Sequence, residues 1–76
     1  MYDSIQYFHQ ACQNVVDNRT ERALNWAVGY AEYGLTVTEK YEAKVQAMYL
    51  KGNITRWRGA IAKETRSILA HIIKNW

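Results

Sequence analysis

The stretch YGLTVTEKYEAKVQAMYLKGNIT, residues 33–55, alternates glycine stops with threonine and glutamate starts. Gly34 and Gly52 each follow a run of apolar residues at helical spacing, and glycine enters a left-handed cap without a side-chain clash. Thr36 with Glu39 has the spacing of a capping box, and Thr38 offers a rival cap one register later. A chain punctuated this way folds into short helices joined by tight turns.

The same reading extends to both ends. Residues 1–17 form a first helical segment, running from about Ser4 to Val16 with Asp3 or Ser4 as cap. Ile5, Phe8, Cys12, Val15 and Val16 recur on one face. It is the segment least committed to packing. Residues 18–34 form a second, with Asn18 and Glu21 at capping-box spacing. Leu24, Ala27, Val28 and Ala31 make one stripe, and Trp26, Tyr30 and Tyr33 make another. Gly29 in its middle costs about 1 kcal/mol against alanine. Residues 36–51 form a third, with Tyr41, Val45, Met48 and Tyr49 as the inward set. Residues 53–76 form a fourth, starting at Asn53 or Thr55. Trp57, Ile61, Ile68, Leu69, Ile72 and Trp76 lie on one side of it, and Arg56, Lys63, Arg66 and Lys74 on the other. The expected fold is all-α: one domain, a small up-and-down bundle of three to four helices.

With 76 residues, a single core supplies only about 3–5 kcal/mol of net stability. Cys12 is the one cysteine, so no disulfide forms within the chain. A lone thiol fits a reducing compartment, and the expected location is cytoplasmic. One cysteine and two histidines, His9 and His71, leave too few ligands for a structural zinc, and no cofactor motif is present. No run approaches the roughly 20 apolar residues of a membrane span. The N-terminus lacks the basic and apolar regions of a signal peptide.

Chemistry is sparse. His9 and Cys12 are three apart and share a helix face, the geometry of a nucleophile and its base. Cys12 also lies on the apolar stripe, where a buried structural thiol is the usual outcome. Catalysis is not expected. Three Trp and six Tyr are a heavy aromatic load for so small a chain, and such residues anchor interfaces. Charge is also unevenly distributed. From Lys51 onward six Lys or Arg face one Glu, whereas the first fifty residues carry four basic and six acidic side chains. A one-sided basic helix suits phosphates, an acidic protein surface or solvent.

The pattern GLTVTEKYEAKVQAMYLKGNITRWRGAI resembles small antitoxins of the VbhA type, over about Ala23 to Lys63. Gly34-Leu35, Val37-Thr38, Gly52 and Ile54-Thr55 carry the resemblance. It implies a helical protein that binds and inhibits a Fic-domain AMP-transferase. In that family a glutamate on the inhibitory helix, within Ser/Thr-x-x-x-Glu-Gly, pairs with an arginine of the enzyme and prevents productive seating of the ATP γ-phosphate. Here Tyr33 stands at the glutamate position and Gly29 at the Ser/Thr position. Glu32 is the nearest carboxylate, about 100° round the helix.

The expected function is therefore that of a protein-binding inhibitor or regulator, antitoxin-like, with Trp26, Tyr30, Glu32 and Tyr33 at the contact. The alternative is a nucleic-acid-binding protein using Arg56, Lys63, Arg66 and Lys74. A homodimer burying the aromatics is a third possibility.

Overall fold

The computed structural model describes residues 4–76, so the expected Asp3 cap lies outside the described residues. Four α-helices are present among them: α1 (Ile5–Asp17), α2 (Val28–Gly34), α3 (Lys40–Gly52) and α4 (Ala60–Asn75), with a 3₁₀ turn at Arg22–Leu24 before α2. The fold is a small all-α bundle.

Helix α1 starts where the Ser4 hydroxyl accepts the Gln6 N–H, satisfying one of the open donors of the first turn. Phe8, Ala11, Cys12 and Val15 are buried along it, with Ile5 and Val16 packed at their margin. Far from being peripheral, α1 makes extensive contact with both α2 and α4. Two polar ties reinforce it. Asn14 Nδ2 donates to Thr65 Oγ1 at 3.0 Å, and that buried hydroxyl donates to the Ile61 carbonyl at 2.7 Å. His9 Nε2 lies 2.6 Å from the Val37 carbonyl, pinning the α2–α3 connection.

The expected second helix is broken. The Asn18 side chain turns back to the Asn14 carbonyl at 2.8 Å, closing α1 instead of opening a new helix. Such local bonds compete with helix propagation. The expected stripe survives the break, since Leu24, Ala27 and Ala31 are all buried. Gly34 does not adopt a left-handed cap; Gly59 is the one residue with positive φ among those described. Glycine is needed at 34 for space. A Cβ there would lie 2.5 Å from Cys12 Sγ and 3.0 Å from Phe8 Cζ.

Thr36 likewise closes a helix instead of starting one: its hydroxyl donates to the Tyr33 carbonyl at 2.7 Å. Helix α3 begins after an extended Glu39 that makes no side-chain cap bond. Its inward face is Ala43, Ala47 and Leu50, not the expected Tyr41, Met48 and Tyr49, which are exposed. Small side chains let α3 lie close against its neighbours, and the bulky residues are carried outward.

Residues 54–59, read from the sequence as the start of the last helix, are irregular. Ile54 and Trp57 are nevertheless buried. Arg66 reaches back from α4 and donates to the carbonyls of Trp57 at 2.6 Å and Ile54 at 3.3 Å. Gly59, at φ 111°, then turns the chain into α4, a conformation that suits glycine. Ile68, Leu69 and Ile72 are buried as expected, whereas Ile61 is half exposed. At its far end Lys40 Nζ sits 4.9 Å from the Trp76 ring centroid.

Candidate interaction surface

Helices α2 and α3 run alongside each other in opposite directions, and their side-chain pairs form a seam. At one end the Tyr33 hydroxyl donates to Glu42 Oε2. In the middle Tyr30 and Tyr49 stack, with centroids 5.6 Å apart and planes 15° from parallel. At the other end Trp26 shares a groove with Gly52 and Asn53. The order 33–30–26 on one strand of the seam is matched by 42–49–53 on the other.

Trp26, Tyr30 and Tyr33, expected on one stripe, line up on this seam. All three are open to solvent: Trp26 is 82 % exposed, Tyr33 49 % and Tyr30 40 %. Tyr49, assigned to the core from sequence, is their neighbour at 52 %. Offset aromatic pairs add about 0.5–1.5 kcal/mol beyond their burial, so the Tyr30–Tyr49 stack holds two half-exposed rings against each other. The hydrogen bond to Glu42, with its nearby charge, raises the Tyr33 phenol above its ordinary range. The Tyr33 ring is thereby tethered across the seam. Glu32 is also exposed, one residue from Tyr33 and so about 100° round α2.

The expected basic face divides. Lys63 and Lys74 are exposed on α4. Arg66 is committed to the connector carbonyls. Arg56 lies in the connector before α4 and lines the groove beside Trp26. That groove has a volume of about 450 Å³ and is bounded by Arg22, Ala23, Trp26, Gly52, Asn53, Thr55 and Arg56. Arg22 is not among the residues expected at a contact. Its position four residues before Trp26 was a local signal, but the approach of residues 52–56 depends on tertiary packing.

The structure gives His9 and Cys12 separate surroundings. His9 Nε2 is engaged with Val37, and burial pushes the Cys12 thiol up to about 12, the reverse of what a thiolate nucleophile requires. No group of three or more His, Cys, Asp or Glu side chains among the described residues is placed to hold a metal. Among the same residues, no helix is long and apolar enough to cross a membrane.

Comparison of the chain with protein-family models, with curated proteins and with solved structures finds no match.

Proposed function

We propose that this protein binds another protein through the α2–α3 seam and acts stoichiometrically, as an inhibitor or regulator. The observation that carries the reading is the alignment of Trp26, Tyr30 and Tyr33, all substantially exposed, along one seam of a bundle whose core is already filled by other residues. Aromatic side chains held in place and left open to water are the residue type that dominates binding energy when a partner desolvates them. An antitoxin-like mode adds Glu32, whose exposed carboxylate would meet an arginine at a partner's phosphate-binding site.

Phosphate binding along α4 has less support. One of its expected cations, Arg66, is occupied internally, and another, Arg56, is not on the helix.

The test is recovery of a partner from the native cell by the wild-type chain and by Tyr30→Ala, followed by titration of the purified pair. The partner is expected to bind Tyr30→Ala at least about tenfold more weakly, equivalent to about 1.4 kcal/mol, with helicity unchanged. Equal affinity for both chains would remove the seam from the contact. Concentration-dependent sedimentation of the chain alone would assign the seam to a homodimer. Where the partner is a Fic-domain enzyme, Glu32→Gly is expected to relieve its inhibition.

A further inference from the structure

We infer that the groove at the Trp26 end of the seam binds a nucleotide unit, with the base on Trp26 and phosphate on Arg22 and Arg56. Three observations converge. Trp26 is the most exposed large hydrophobic residue described, at 82 %, and it borders a concavity instead of standing on a convex surface. Two arginines, Arg22 and Arg56, line that concavity, and no Asp or Glu does. The volume of about 450 Å³ falls within the roughly 300–1,000 Å³ typical of small-ligand sites.

The chemistry fits those parts. An indole face stacks on any nucleobase, and base–aromatic stacking tolerates sequence because every base has a π-face. Guanidinium groups pair with phosphate oxygens through a planar fork of donors. Gly52 on the lining contributes no side chain, which leaves room for a flat ligand. A Cβ built there meets nothing within 4 Å. Asn53 and Thr55 add polar groups at the rim. The Asn53 amide nitrogen is already bonded to the Tyr49 carbonyl at 2.8 Å, which fixes the amide. Lys51 precedes this segment and Arg58 follows it, and residues 51–58 contain no acidic side chain. The phosphate-binding potential that the sequence assigned to α4 is therefore concentrated at its approach.

The same chemistry is offered by a single strand and by a free nucleotide, and the experiment separates them. A fluorescein-labelled ten-residue oligothymidylate is titrated with the purified chain by anisotropy. AMP is titrated separately while the Trp26 indole N–H resonance is followed. Binding is expected at about 1–100 μM in low salt. Saturation by the oligonucleotide alone identifies a strand site, and saturation by AMP identifies a mononucleotide site. Trp26→Ala is expected to weaken binding about 5- to 150-fold. For the oligonucleotide, log K should fall against log salt with a slope of about −1.4, as for two phosphate contacts on a single strand. The slope should approach zero in Arg22→Gln/Arg56→Gln. Gly52→Leu, which puts a side chain on the groove lining in space the fold leaves empty, should abolish binding while circular dichroism stays native. Lys63→Gln/Lys74→Gln should bind as wild type.

Failure of both probes to bind would overturn the inference. So would full binding by Trp26→Ala or by folded Gly52→Leu, or a loss confined to the Lys63/Lys74 variant. Binding of an acidic peptide with neither nucleotide probe bound would overturn it as well, and would assign the groove to a protein partner.

Discussion

Gly34 and Cys12 meet where α2 crosses α1, and a side-chain carbon on Gly34 would stand 2.5 Å from Cys12 Sγ. Only hydrogen fits between them. Gly34→Ala is therefore expected to destabilise the protein by about 1–3 kcal/mol, the usual cost of overpacking. For a domain of this size that lowers Tm by roughly 4–8 °C per kcal/mol. Adding Cys12→Ala removes the closest obstructing atom, so the double variant should be less destabilised than the sum of the single ones. Thermal unfolding followed by circular dichroism checks both points. A Gly34→Ala protein melting with the wild type would show that the crossing can yield.

Gly29 is the opposite case. It lies within α2, and an added Cβ meets nothing within 4 Å. Gly29→Ala is expected to stabilise by about 0.4–1 kcal/mol, chiefly by restricting the unfolded chain. Urea denaturation should show a raised midpoint with an unchanged slope.

The Cys12 thiol links stability to pH. Its folded value of about 12 lies above the ordinary 9.0 because burial disfavours the thiolate. The unfolded chain therefore loses this proton first as pH rises. The contribution is fully present below about pH 9 and is lost between about pH 9 and 12. Tyr33, raised by its bond to Glu42, acts in the same direction. Denaturation across this range should show a steeper alkaline decline for the wild type than for Cys12→Ala. Parallel profiles would mean that the thiol is not sequestered. Thiol reagents at pH 8 should modify Cys12 only after unfolding.

Thr65 is the one buried polar side chain among the described residues, and it joins Asn14 to α4. Thr65→Val keeps the volume but removes the acceptor for Asn14 Nδ2. The expected cost is about 1–2 kcal/mol, since a part-buried donor loses its bond. Combining it with Asn14→Ala removes the orphaned donor, and the double variant should cost less than the two single changes summed. Strict additivity in a double-mutant cycle would count against the bond.

Helices α1 and α4 were legible because large side chains repeat at helical spacing, although the segment 18–34 is broken before α2 and α4 starts only at Ala60. Phe8, Cys12 and Val15 on α1 and Ile68, Leu69 and Ile72 on α4 were placed inward on that basis, and they are buried. The phase of α3 was not legible, because its buried face is built from Ala43 and Ala47, whose small side chains give a weak signal beside Tyr41, Met48 and Tyr49. Gly34 was recognisable as special, but the local pattern could not show that its role was space at Cys12 instead of a backbone turn. The exposed aromatic stripe was readable from the spacing of Trp26, Tyr30 and Tyr33. Its α3 partners Glu42 and Tyr49 were not, since their pairing spans a connection that no local periodicity encodes. The groove required Arg22 and Arg56, 34 positions apart, to converge.

The Arg66 bridge ties two carbonyls of the irregular connector, those of Ile54 and Trp57, to one side chain of the final helix. Arg56 lies between those two anchor points in the sequence. The rim it carries is therefore fastened on both sides and inherits the rigidity of α4.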